Sequence, residues 1–308
     1  MSAPPHDTET PMHRRRFLLA PVALVPIAAS TRCLADENQF VEPVHRVAKS
    51  PVTATPVSSS TTSATAPMHP LDRALDIARK SLLKSRREVR DYTTLLVKRE
   101  QIDGVVGENT YMNLKVRNRK VVDGRITTPF SVYVQFLKPA AIKGRECIYV
   151  EGRNDGKITA HEGGFKGRFL PTVNIPPTGM LAMSGQRYPI TDIGLENLLI
   201  KLNERGGRAR KTPDVQCTFR NNARVRDRAC TVIEVIQPTP APDREFHKAQ
   251  IFLDNATQLP IRYAAYDYPR SPGGKGPIIE EYTYLNLELN VGLTDADFDA
   301  NNSEYGFH

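Results

Sequence analysis

The sequence predicts an α+β domain built on one large, curled antiparallel sheet. Three observations lead there: two apolar stripes at helical spacing, alternating apolar and polar runs over most of the remainder, and Asp-Gly turn pairs between consecutive runs. A wide sheet of mutually twisted strands must curl, and helices fill the hollow. The expected architecture is therefore a half-barrel of about ten strands covered by two helices and a long loop.

The first helix is expected over 71–89, where Leu71, Leu75, Ala78, Leu82 and Val89 recur at spacings of three, four and seven, opposite a face rich in Arg and Lys. Pro70 suits its first turn. Beyond it, Met112, Leu114 and Val116 alternate with Asn113, Lys115 and Arg117. Phe130, Val132, Val134 and Phe136 alternate likewise with Ser131, Tyr133 and Gln135. A period of two marks strands with one buried face. Asp103-Gly104, Asp123-Gly124 and Asn154-Asp155-Gly156 supply the positive φ that tight hairpins need, so five strands up to about Glu162 form a meander. A second helix spans about 192–204, with Ile193, Leu198, Leu199 and Leu202 inward, Thr191 or Asp192 as cap, and Gly206 just beyond its end. Five more strands follow near 214–220, 229–237, 246–254, 259–267 and 278–289.

Residues 1–35 read as an address. Arg14-Arg15-Arg16-Phe17-Leu18 opens the apolar run 17–29, and Cys33-Leu34-Ala35 places small residues where a signal peptidase reads, the order of a twin-arginine-type signal peptide. Lipidation of Cys33 is not expected, since Arg32 and Ser30 stand where a lipoprotein signal carries a small residue and a Leu. The Ser/Thr/Pro-rich stretch 36–67 has too little apolar surface to offset chain entropy and reads as a disordered linker. That leaves 68–308 as a single domain, exported to the periplasm or cell envelope. The run 17–29 is too short to cross a bilayer core of about 30 Å, which excludes a polytopic membrane protein.

The chain carries 42 Lys and Arg against 34 Asp and Glu, a net charge of +8 over 308 residues. The excess is regional: 201–228 holds nine basic residues against three acids, whereas 291–308 holds four acids and neither Lys nor Arg. A basic face from Lys201 to Arg228 fits an anionic membrane surface or an acidic envelope partner; export weighs against nucleic acid, and a solvated hairpin reads the same way. No HExxH, GxSxG, P-loop or GxGxxG occurs, and the four cysteines form no CxxC pair or Cys/His cluster. Neither a catalytic centre, a cofactor nor a metal is expected. His161-Glu162 sets a His beside a carboxylate, but adjacent strand residues face opposite ways. His247 stands at a strand start, and Lys98-Arg99-Glu100 reads as a solvated strand end with cross-strand ion pairs.

Five stretches occur in order: Val97-Lys98-Arg99-Glu100, Met183-Ser184-Gly185-Gln186-Arg187-Tyr188-Pro189-Ile190-Thr191, Arg262-Tyr263-Ala264-Ala265-Tyr266-Asp267, Glu281-Tyr282-Thr283-Tyr284-Leu285-Asn286 and Gly292-Leu293-Thr294-Asp295-Ala296-Asp297-Phe298. Together they resemble a bacterial family catalogued as domain of unknown function 1571, over essentially all of 68–308. More distantly, the strand, Asp-Asn turn, Leu-Pro and second strand of 251–266 are similar to LolA/LolB-type periplasmic lipoprotein carriers. The resemblance implies a half-barrel whose helices close over an apolar cavity, and it carries no functional residue across.

Two further expectations concern sites. The stretch 163–189 has five Gly, four Pro and no periodicity, yet it holds Phe165, Phe169, Leu170, Val173, Ile175, Met180, Leu181 and Met183. So apolar a segment must cover something. It is expected to be a lid over a groove lined by Phe130, Val132, Val134 and Phe136, with Met180, Leu181 and Met183 meeting the ligand and Arg187 and Tyr188 at the hinge; a permanently docked plug is the competing form. If 217–230 folds as a hairpin centred near Ala223-Arg224, Cys217 faces Cys230 and a disulfide can form; two buried free thiols are the alternative. Function then divides between an envelope protein holding a lipid, lipoprotein or other apolar ligand in the concave face and a non-enzymatic structural or interaction protein whose groove is filled by its own segments. A hydrolase with dispersed catalytic residues is a third class, without a recognisable nucleophile and base.

Overall fold

In a computed structural model describing residues 68–167 and 169–307, strands from the two ends of the domain meet at the centre of one sheet. The expected signal peptide and linker, 1–35 and 36–67, lie outside the described residues. Helix α1 (Asp72–Glu88) leads into β1 (Asp91–Ile102), β2 (Val105–Val106), β3 (Thr110–Arg117), the small hairpin β4 (Lys120–Val122) and β5 (Arg125–Thr128), β6 (Ser131–Lys138), β7 (Glu146–Val150) and β8 (Ile158–His161). The short helix α2 (Gly164–Gly167), β9 (Val173–Ile175) and a single turn, α3 (Met180–Met183), precede helix α4 (Leu195–Ala209). A second run of strands follows: β10 (Gln216–Val225), β11 (Arg228–Ile236), β12 (Lys248–Asp254), β13 (Pro260–Tyr266) and β14 (Ile278–Leu289).

The strand order is β10-β11-β12-β13-β14-β1-β3-β6-β7-β8-β9, antiparallel throughout, with β2 added beside β1. Two meanders are thus joined where β14 pairs with β1. The expected ten strands are all present; β2, β9 and the β4–β5 hairpin are additional among the described residues. Because β9 and β10 occupy opposite edges, the chain between them must cross the sheet, and α4 is that crossing. The curled sheet is consequently an open half-barrel with α1 and α4 on its inner face.

The two helices lie antiparallel, tied at both ends by ion pairs: Arg210 to Asp72 at 2.6 Å and Arg86 to Glu196 at 2.9 Å. Gly206 is not a stop signal; it lies inside α4, where a Cβ would come within 2.8 Å of Leu75 Cδ2. Glycine here permits close helix approach, and Asn203 reaches across to the Ala78 carbonyl at 3.1 Å. Gly194 rather than Thr191 or Asp192 precedes the first turn of α4, and the Leu195 amide donates to Tyr92 Oη on β1 at 2.9 Å. Leu71, Leu75, Leu195, Leu198 and Leu199 are buried against the sheet.

The outer face departs from simple alternation. Tyr133, expected on the polar side of β6, is buried with Ile148, Val150 and Phe298, and Leu293, Ala300, Tyr305 and Phe307 pack against them. The acidic C-terminal tail, 293–307, lies over this face, and Tyr305 stacks on Tyr133 with ring centroids 4.0 Å apart. Two of its four acids make ion pairs to the sheet: Asp297 meets Lys115 at 2.9 Å, and Asp295 meets Arg117 at 2.7 Å and Arg153 at 2.8 Å.

The expected disulfide is overturned by register. The hairpin turns at Arg226-Asp227, with Val225 opposite Arg228, and a bulge at Asn221-Asn222 shifts the pairing. Cys217 therefore faces Val235 while Cys230 faces Ala223. The five residues from Cys230 to Val235 amount to roughly 17 Å of strand, far beyond disulfide reach, and Cys147, Cys217 and Cys230 are free thiols.

Candidate functional site: a cavity with one charged wall

Between the inner face of the sheet, α4 and the segment 170–194 lies a cavity of about 450 Å³. Pockets for small molecules run from about 300 to 1,000 Å³, and an apolar void of about 150 Å³ already takes up benzene. Most of the lining is aliphatic or aromatic. Leu96, Met112, Val134 and Phe136 come from β1, β3 and β6; Ile158 and Ala160 from β8; Leu198 and Leu202 from α4; Val173, Ile175, Leu181 and Ile190 from the covering segment. These positions follow from period-two patterning on the sheet and the helical stripe of α4.

One wall differs. Lys98 and Glu100 on β1, Tyr263 on β13, Glu280 and Tyr282 on β14, Arg205 on α4, and Gln186 and Tyr188 on the covering segment all line the cavity. Lys98 Nζ donates to Glu100 Oε2 at 2.8 Å and to Gln186 Oε1 at 2.5 Å. Tyr282 Oη donates to Glu100 Oε1 at 2.5 Å. Arg205 donates to Glu280 at 2.5 Å, to Tyr263 Oη at 2.9 Å and to Tyr188 Oη at 2.6 Å. Arg187 donates its backbone amide to Glu100 at 3.2 Å and lies 3.4 Å from Glu280 through Nε. Lys98 and Glu100 are 8% and 7% exposed, so the expected solvated strand end is instead a buried pair. The signal was the continuation of the β1 inward positions Leu96, Lys98 and Glu100 at the same period as the apolar ones.

Burial works against the charge on Arg205, but Tyr263, Glu280 and Tyr188 more than offset it and hold its pKa above the ordinary value. Burial, reinforced by the charge of Glu280, pushes Tyr263 and Tyr282 upward, so both stay neutral phenols. Burial also pushes the Cys147 thiol, on the same lining, up to about 12, which removes it as a nucleophile near neutral pH. Among the described residues, no group of three or more His, Cys, Asp or Glu is placed to hold a metal ion.

The expected ligand residues are distributed unevenly. Val134, Phe136, Leu181 and Tyr188 line the cavity. Val132 is wholly buried in the sheet–helix core, and Phe130 lies outside the lining with its ring 6.4 Å from that of Tyr149. Met180 is 88% exposed, and Met183 is half-buried outside the lining. Arg187 and Tyr188 tie the C-terminal end of the covering segment to the charged wall, while its middle adds to the sheet as the edge strand β9, paired with β8. His161 ends β8 opposite Glu146, Glu162 pairs with Arg145 at 2.8 Å, and His247 holds the Gln237 carbonyl at 3.1 Å. Six of the nine basic residues in 201–228 sit in ion pairs: Lys201, Arg205, Arg208, Arg210, Arg220 and Arg228. The free positive charge there is smaller than composition implies.

Fold and site together define a half-barrel with a helix-covered, largely apolar internal cavity. The chain belongs to the family described as "Protein of unknown function (DUF1571)", whose model matches residues 89–307. Four of the five stretches that carried the resemblance supply residues at or beside the charged wall; the fifth forms the start of the outer tail. No curated protein matches the chain. Among solved structures it is similar to a DUF1329 family protein from Desulfovibrio piger (14% identity, 75% of this chain and 98% of that chain covered, TM-score 0.34). It is also similar to a putative outer membrane lipoprotein-sorting protein domain from Vibrio parahaemolyticus (14%, 74% and 96%, 0.34) and to the lipoprotein LppX from Mycobacterium tuberculosis (12%, 74% and 100%, 0.40).

Proposed function

We propose that this protein is an exported envelope binding protein that holds an apolar ligand, such as the acyl chain of a lipid or lipoprotein, in the concave face of its sheet. The observation that carries the reading is the cavity of about 450 Å³ lined chiefly by Leu96, Met112, Val134, Phe136, Ile158 and Leu198. Burying an alkyl chain there removes about 0.8 kcal/mol of unfavourable hydration per CH₂. Leu170, Val173 and Leu181 belong to the lining yet are 45%, 44% and 75% exposed, which gives the cavity an apolar rim in contact with solvent. Such a rim favours exchange of ligand over a groove sealed by its own segments. The twin-arginine-type sequence supports export to the periplasm or cell envelope, and the neutral thiol of Cys147 supports binding rather than thiol chemistry.

Native mass spectrometry of the protein purified without detergent, followed by titration with a fluorescent alkyl probe, tests the reading. The expected result is a bound apolar adduct or saturable one-to-one uptake. A clean unliganded mass together with no uptake would favour the interaction-protein alternative.

A further inference from the structure

We propose that the ligand of this cavity is electrically neutral, an alkyl chain ending in uncharged hydrogen-bonding groups rather than in a phosphate, carboxylate or ammonium. This inference rests on the binding function proposed above and specifies its ligand class.

The cavity lining holds four cations and four carboxylates, and each cation has a carboxylate partner within the same lining. Lys98 pairs with Glu100 at 2.8 Å, Arg205 with Glu280 at 2.5 Å, Arg145 with Glu162 at 2.8 Å, and Lys201 with Asp192 at 3.1 Å. Behind the lining the balance persists, with Arg187 backing Glu280 and Glu245 backing Arg205. The phenols Tyr263 and Tyr282 are neutral. An anionic head group reaching the inner, charged wall finds both cations there, Lys98 and Arg205, already committed to carboxylates. It must displace Glu100 or Glu280 from its partner and leave that carboxylate unpaired at a position almost closed to solvent, the costly arrangement for a buried charge. A cationic head meets the mirror-image obstacle. A neutral head group breaks no pair, and Gln186, whose Oε1 is taken by Lys98, retains amide N–H groups able to donate to a hydroxyl or ester oxygen.

The test uses two ligands that share one oleoyl chain and differ by a phosphate: 1-monooleoylglycerol and 1-oleoyl lysophosphatidate. Each competes with a fluorescent alkyl probe on the full chain at fixed ionic strength. Monooleoylglycerol is expected to bind at least tenfold more tightly. Equal or tighter binding of lysophosphatidate would overturn the inference while leaving the apolar binding function standing. Failure of both to compete would remove the binding function itself and the inference with it. A variant at the cavity rim tests the cause: Asp192→Asn frees Lys201 and should shift the affinity ratio several-fold toward lysophosphatidate. An unchanged ratio would show that charge matching does not set the preference. Asp192 is a partly exposed residue in a short 3-10 turn, so the variant is expected to fold.

Discussion

Glu280 and Glu146 are both nearly inaccessible carboxylates on the same sheet, one on each face, and they are held in opposite ways. Glu280, 1% exposed, faces the cavity and is held by cations, Arg205 at 2.5 Å and Arg187 at 3.4 Å. Glu146, 4% exposed, faces the C-terminal tail and accepts from uncharged donors: Tyr133 Oη at 2.8 Å, Gln135 Nε2 at 3.3 Å and the Gly306 amide at 2.5 Å. A carboxylate answered by neutral donors works as a latch between two segments. One answered by guanidinium groups beside an open cavity sets the local charge that an incoming molecule meets.

Removing the carboxylate on the cavity side should have the larger effect. Glu280→Ala leaves Arg205 buried without its closest partner and is expected to cost roughly 3–5 kcal/mol in urea unfolding; a loss below about 1 kcal/mol would mean that the pair behaves like a surface ion pair. On the other face, Glu146→Ala should cost about 1–3 kcal/mol through the Tyr133 hydroxyl and Gly306 amide left without their acceptor. Limited proteolysis should then cut within 293–307 well before the sheet yields. Unchanged protection of the tail would show that packing of Tyr305 and Phe298 alone retains it.

Acid provides a subtler probe of the same tail. Burial works against the charge on Asp297, but the Thr294 amide and Lys115 outweigh it, and Arg153 and Arg117 lower Asp295, so both carboxyls titrate below the ordinary Asp value. Groups lowered in the folded state contribute stability that is complete above the unfolded Asp pKa of about 3.9 and is lost as pH falls through the folded value. Hydrogen exchange in 293–307 should therefore be flat from neutral pH to about pH 4 after correction for intrinsic rates, and rise below it. A rise already at pH 6 would place control elsewhere. Smallest of all, Met180→Ser with Leu181→Ser should change stability by no more than about 0.5 kcal/mol, both being highly exposed, while the loss of Leu181 from the lining weakens uptake of an alkyl probe. A large fall in melting temperature would identify the segment as a core plug.

The alternation of Met112, Leu114 and Val116, and of Val132, Val134 and Phe136, was enough to place β3 and β6 and the face they turn inward, because period two is a local property of a half-buried strand. The same rule misplaced Tyr133, since it cannot know that a tail of distant sequence covers the outer face. The Cys217–Cys230 pairing failed for a related reason: register depends on which residues take the turn, and moving the turn to Arg226-Asp227 with a bulge at Asn221-Asn222 separated the thiols. Residue type alone makes Gly206 a helix terminator, whereas the proximity of Leu75 on another helix explains it. The apolar part of the cavity was partly legible in Val134, Phe136 and Leu181. The charged wall was not, because Glu100, Arg205 and Glu280 come together only in the fold, from elements that lie far apart in the chain.

The joining of β1 to β14 also sets a schedule. Tyr282 and Glu100, hydrogen-bonded across the middle of the sheet, are 182 residues apart in the chain, which at ribosomal rates is roughly ten to forty seconds of synthesis. During that interval the central strand has one vacant edge and the cavity lacks a wall, so the nascent domain can complete neither its centre nor its charge balance. The last major strand to be made closes the middle of the sheet, so the domain completes its core only at the end of synthesis.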